Sequence, residues 1–121
     1  SSLVAIHHAM TALINEDCEM AVVGGIRYNF VPSFLNFGQM DIFSYDGVTR
    51  SFDDFADGTN NGEASCAIVI KQLSKALEDN DSIYAVIKGS AVNNDGASLG
   101  ITAPNMDAQE NMLAQAWKIL M

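Results

Sequence analysis

Apolar residues recur at helical spacing from the first turn onward: Leu3, Ile6, Met10, Leu13 and Ile14 predict a helix over Ser1–Asn15, with Ser1 or Ser2 as its cap. Val4, Ala5, Ala9 and Ala12 make the remaining faces small and apolar, and the first charge is Glu16. A helix without a polar face belongs inside a larger body. Glu19–Val23 then reads as a short buried strand closed by Gly24-Gly25. From Ile26 to Asn61 the pattern is irregular, with turn signals at Pro32, Asp46-Gly47, Asp57-Gly58 and Asn61-Gly62. A connection this long is unusual in a compact domain and is often functional. Ser65–Gln72, rich in β-branched residues, predicts a second strand, and Ser74–Glu78 a short helical turn. Ile83–Val92 predicts a third strand, interrupted by Gly89 and followed by the Asn93-Asn94-Asp95-Gly96 turn. The last element is a helix over Asp107–Met121, with Ala108, Met112, Ala116, Ile119 and Leu120 on one face and Asn105 or Asp107 as cap. The element order is that of an α/β protein.

Composition narrows the class. The 121 residues are 49% hydrophobic and 17% charged, which opposes disorder and fits one domain or part of a larger one. The run Ala67–Ile70 falls far short of the roughly 20 apolar residues that span a bilayer. No signal peptide is expected, because two His and no Lys or Arg stand at the start. Six Lys plus Arg against fifteen Asp plus Glu give a net charge of −9, and the scattered cations argue against nucleic acid as a partner. Cys18 and Cys66 make neither a disulfide framework nor a zinc site. Both are expected as buried small hydrophobes of a reducing compartment.

The candidate chemistry is sparse. Gly24-Gly25-Ile26-Arg27 lacks the spacing of a dinucleotide loop and reads as a turn. Counted from Asp53, the acidic stretch Asp53–Gly58 puts Phe55 at the third ligand position of a calcium loop and Ala64 at the twelfth. Its carboxylates are expected to bond nearby backbone amides instead. His7 and His8 point about 100° apart on a helix. No nucleophile stands at helical spacing from either, so both are expected as packed or hydrogen-bonded structural residues. No G-x-S-x-G elbow, P-loop or H-E-x-x-H is present. Taken alone, these residues describe an α/β piece with no catalytic constellation of its own.

Seven segments in order carry a resemblance. Ser1–His7 (Ser-Ser-Leu-Val-Ala-Ile-His) resembles the helix after the active-site cysteine in D-T-A-C-S-S-S-L-V-A-I-H. Cys18–Gly25 resembles C-D-M-A-L-A-G-G, and Ser44–Gly47 resembles S-P-D-G. Phe52–Gly58 resembles F-D-x-x-A-D-G, with Gly62-Glu63 where G-E-G follows. Ser90–Gly96, preceded by Gly89, resembles G-S-A-V-N-x-D-G, and Thr102–Glu110 resembles T-A-P-N-x-x-x-Q-E. The chain is thereby identified as similar to β-ketoacyl synthases, and most of all to the ketosynthase domains of modular polyketide synthases.

That resemblance implies part of a thiolase-like fold, layered α-β-α-β-α. Residues 1–73 would be the end of the N-terminal half and residues 74–121 the start of the C-terminal half. It places the nucleophilic cysteine just before Ser1, and the two histidines in H-G-T-G-T and K-x-x-x-G-H motifs beyond the last residue. The 121 residues alone would then be inactive. The implied reaction is a decarboxylative Claisen condensation, with acyl chain and malonyl-type extender both delivered by acyl carrier protein. The first-turn amides of Ser1 and Ser2 would face the sulfur, a setting that favours a thiolate. Phe37 falls where relatives place an aromatic on the acyl pocket, and Thr102 near the pantetheine channel; packing or turn roles are the alternatives. No metal and no resident cofactor are implied, since phosphopantetheine arrives on the carrier protein. The other implied features are a homodimer through the ketosynthase, flanking synthase domains and a cytoplasmic location. A non-catalytic chain-length factor or scaffold, a ketosynthase of fatty-acid synthesis, and an independent small binding domain are the rival readings. Ala64 replaces a family glycine, and Arg27 and Tyr28 replace small or apolar residues. The net charge of −9 means that any basic surface for an acidic carrier must come from elsewhere.

Overall fold

The structure, a computed structural model, describes residues 1–30, 42–98, 100 and 103–118. Helix α1 spans Ser2–Ile14, strands β1 and β2 span Met20–Arg27 and Ala64–Lys71, and helices α2 and α3 span Leu73–Glu78 and Met106–Lys118. The two strands pair in a two-stranded sheet. Residues 1–24 and 67–121 form one compact unit and residues 25–66 a second.

Both of the first two helices stop in the same way. Behind α1 the chain turns through Glu16 at φ 62, and behind α2 through Asn80 at φ 57. Asp17 N donates to Ala12 O and Glu16 N to Leu13 O, while Asp81 N and Asn80 N do the same to Ala76 O and Leu77 O. These paired bonds satisfy the last carbonyls of each helix in the Schellman arrangement. Asparagine tolerates the left-handed conformation, but a glutamate pays a Cβ penalty there. Glu16→Gly is therefore expected to raise the stability of the ketosynthase that carries this segment by about 0.5–1 kcal/mol, read from its urea midpoint. Helix α3 is capped by Asn105, whose Oδ1 accepts from Ala108 N at 3.1 Å.

Three expectations are corrected. Gly24-Gly25 does not close β1 but lies inside it, because pairing with β2 outweighs the weak intrinsic preference of glycine. Ile83–Val92 is not a strand: no described segment supplies a ladder to it, and Tyr84, Val86 and Ile87 stand exposed. Cys18 is half-buried and Cys66 exposed, so neither thiol is a core residue; both are free. Cys66 lies among the first six positions of β2, all of which are exposed.

Little of the apolar surface is closed off. The described buried hydrophobic residues are Leu13, Val23 and Ala76, whereas Leu3 and Ile14 of α1 are 78% and 71% exposed. The accessible surface is 10040 Å². A self-contained folded protein of 13.0 kDa is expected to expose about 6,300 Å². Strand β2 is apolar and open on both faces, the pattern of a sheet meant to be covered on both sides.

Candidate functional site

The first intrahelical bond of α1 runs from Ala5 N to Ser1 O at 2.9 Å. The preceding amides of the first turn have no intrahelical acceptor. Ser1 makes no side-chain cap, and no acidic residue stands in the first turn. Among the described residues, neither a side-chain cap nor a first-turn carboxylate compensates the positive end of the helix dipole. This is the arrangement that stabilises a thiolate or an oxyanion placed against it.

One and a half turns further along, His7 Nδ1 lies 2.8 Å from Ser90 Oγ. His7 O also accepts from Thr11 Oγ1 at 3.0 Å. His7 is therefore the hydrogen-bonded structural histidine expected. His8 is exposed, and its ring meets that of His7 edge-on at 5.9 Å, so it contacts its neighbour without being buried. Phe37 and Thr102 lie outside the described residues.

The polar residues of the G-S-A-V-N-x-D-G and T-A-P-N segments bind one another. Asn105 Nδ2 donates to Asp95 O at 2.9 Å and to Ala97 O at 3.1 Å. Asn93 Nδ2 donates to Ala108 O on α3. Gly96 at φ 64 closes the turn, its amide on Asn94 Oδ1. These asparagines hold a turn against the start of α3, a role their spacing in sequence did not disclose.

In the unit of residues 25–66, carboxylates organise the loop as expected. Asp53 Oδ1 accepts from Phe55 N, and Asp57 Oδ2 accepts from Tyr45 N. Asp46 accepts from the buried Ser44 hydroxyl, from Val48 N and from Arg50. The Arg50 guanidinium and these donors hold the Asp46 carboxyl far below the usual carboxylate range. The Tyr45 amide and the Ser44 hydroxyl lower Asp57 as well. Depressed carboxyls stabilise the folded chain fully above the ordinary value of 3.8 and lose that contribution as pH falls below it. Asp46→Asn is expected to flatten the fall in urea midpoint between about pH 5 and pH 3, measured on the domain that carries the segment. Among the described residues no group of three His, Cys, Asp or Glu is placed to hold a metal.

Comparison with known proteins decides the family. Residues 1–76 match the family described as "Beta-ketoacyl synthase, N-terminal domain". The chain belongs to the β-ketoacyl synthase family. Residues 84–120 of this β-ketoacyl synthase chain match the corresponding C-terminal domain. It is 43% identical over 119 residues to the highly reducing polyketide synthase VdtX of Byssochlamys spectabilis, covering 98% of the chain and 5% of that protein. It is 44% identical over 119 residues to the polyketide synthase PksM of Bacillus subtilis, covering 98% and 3%. The ketosynthase from module 6 of the bacillaene synthase from Bacillus subtilis 168 superposes with a TM-score of 0.90 at 39% identity. That superposition covers 98% of this chain and 21% of the ketosynthase. The chain thus spans a small part of each relative, and its fold is a portion of the thiolase-like ketosynthase architecture.

Proposed function

We propose that the domain to which these residues contribute is a condensing acyltransferase of polyketide biosynthesis. A cysteine just upstream of Ser1 takes an acyl group from a carrier thioester: the new carbon–sulfur bond forms as the carrier thiol leaves. The extender then loses CO₂, and the resulting enolate attacks the acyl-enzyme, returning the cysteine thiol and leaving a β-ketoacyl chain on the second carrier. This chain's own contribution is the amino end of α1, with Ser1, Ser2 and the first-turn amides free to stabilise the thiolate and the tetrahedral oxyanion.

The observation that carries the reading is that uncompensated helix terminus, in a chain matching both halves of the family. Phe37 on the acyl pocket, Thr102 near the pantetheine channel and a division of the halves at 73/74 belong to the same proposal. So do acyl carrier protein as partner, with phosphopantetheine present only as its arm, homodimerisation, flanking synthase domains and a cytoplasmic location. Among the described residues no helix is long and apolar enough to cross a membrane. The isolated 121 residues should have no turnover, since the cysteine and both histidines of the family mechanism fall at motifs outside them.

The test is to incubate the whole ketosynthase domain with acyl- and malonyl-carrier proteins and to follow CO₂ and β-ketoacyl product by mass spectrometry. Product that disappears when the upstream cysteine becomes alanine supports the proposal. No product, with Gln or Ala already at that position, assigns the chain to a non-catalytic relative.

A further inference from the structure

Every polar group of Asn105 is engaged. Its Nδ2 donates to Asp95 O at 2.9 Å and to Ala97 O at 3.1 Å, and its Oδ1 accepts from Ala108 N at 3.1 Å. The backbone joins in: Asn105 N donates to Asp95 Oδ2 at 3.3 Å, and Asn105 O accepts from Gln109 N at 3.1 Å. Only one orientation of the amide serves, because two carbonyls need its NH₂ and the Ala108 N–H needs its oxygen. One half of the side chain therefore caps α3, and the other half draws together the two ends of the loop formed by residues 95–105. Within that loop Ser98 Oγ donates to Gly100 O at 2.8 Å, and Ala103 N donates to the same carbonyl at 3.0 Å. All of these bonds run between residues 95 and 109, so they are made whatever the rest of the domain lays over them.

We propose that Asn105 is a positioning residue for the carrier's phosphopantetheine arm: by closing the loop of residues 95–105, it holds the backbone that carries Thr102 in place along the arm's path. The inference rests on the condensing-enzyme reading above, and on its assignment of Thr102 to the pantetheine channel. Thr102 lies outside the described residues; the bonds observed are those on either side of it. Asn105 has no polar group left over for a ligand, so it acts through the loop and not by contact. No residue from Gly96 to Pro104 is charged, in a chain of net charge −9, which suits an arm that presents amides to its channel. Capping alone does not call for asparagine, since aspartate and serine cap a helix about equally well. The two donated bonds do, because neither of those side chains has an NH₂ group to give.

The experiment uses the whole ketosynthase domain and three variants: Asn105→Asp, Asn105→Ser and Asn105→Ala. The first two keep an oxygen to cap α3 and lose both Nδ2 donations, whereas alanine loses the cap as well. Acylation of the upstream cysteine is followed by mass spectrometry with one acyl group on three donors: carrier protein, free pantetheine, and ethanethiol, which has no arm. The aspartate and serine variants are expected to raise KM for the carrier and pantetheine thioesters about tenfold, with kcat within about twofold. Their rates with the ethanethiol ester and their urea midpoints should match those of the unmutated domain, while the alanine variant loses stability too. Serine adds no charge beside Asp95, so it decides the matter where the aspartate variant fails to fold. An unchanged KM in the serine variant, or a loss shared equally by the ethanethiol ester, would overturn the inference while leaving the condensing-enzyme reading intact. Failure of the unmutated domain to become acylated at the upstream cysteine by any donor would overturn that reading, and the inference with it.

Discussion

Produced alone, the 121 residues are expected to melt without a cooperative transition, to bind 1-anilinonaphthalene-8-sulfonate strongly and to associate at micromolar concentration. The physical reason is the exposed area: 10040 Å² against about 6,300 Å² for a folded protein of this mass. Leu3, Val22, Ile26, Val69 and Leu77 are each more than half exposed, and they are residues that a stable domain covers. Surface that stays wet on folding contributes nothing toward offsetting conformational entropy. The same residues inside a whole ketosynthase should be protected from hydrogen exchange and share its single transition. Scanning calorimetry and amide exchange on the two forms make the comparison. A sharp two-state melt of the isolated chain as a monomer would show that its interior closes unaided, and the account of it as part of a layered ketosynthase would fail.

Gly58→Ala should be the most damaging single substitution in the unit of residues 25–66. Gly58 stands at φ 152, a conformation that side chains rarely adopt. A Cβ there would meet Ser44 N at 2.5 Å, the Phe43 carbonyl carbon at 2.6 Å and Ile42 O at 2.9 Å. All three are backbone atoms and cannot swing aside. They are held by the parallel bridge of Phe43 with Thr59, whose amide donates to Ile42 O while Thr59 O accepts from Ser44 N. Relief of the clash must therefore break that bridge, and with it the Ser44 and Asp57 bonds to the loop. The expected cost is about 3 kcal/mol or more, the sum of backbone strain and overpacking. Gly47→Ala is the control. It has φ 74 but only Asn60 Nδ2 nearby, at 3.8 Å, so it carries strain without collision and should cost about 1 kcal/mol. Urea midpoints of the two variants in the whole domain decide this, and equal values would contradict the account.

What the chain reveals in one dimension depends on the range of the forces involved. Helices α1, α2 and α3 and strands β1 and β2 are legible because a 3.6-residue or β-branched apolar pattern is a local signal. Ile83–Val92 carries the same kind of pattern but forms no strand among the described residues, since none of them pairs with it. Gly24-Gly25 fails in the opposite sense: β2 supplies the ladder that glycine by itself does not favour. The site is legible in its motifs and illegible in its contacts. Ser1 and Ser2 stand at the start of α1, as the helical spacing of the apolar residues predicts. The tie between His7 and Ser90 joins positions that no spacing rule connects, and the bonds of Asn93 and Asn105 depend on a turn closing first. The Asp46–Arg50 pair lies in a turn, where a separation of four residues carries no helical signal.

The central claim is that α1 begins against a reactive thiol and exists to stabilise it. Peptide mass mapping of the whole ketosynthase after exposure to an acyl thioester tests this most directly. The account predicts one acyl adduct, on the cysteine just upstream of Ser1, with none on Cys18 or Cys66. An unmodified upstream peptide, or acylation at Cys18 or Cys66 instead, would contradict it.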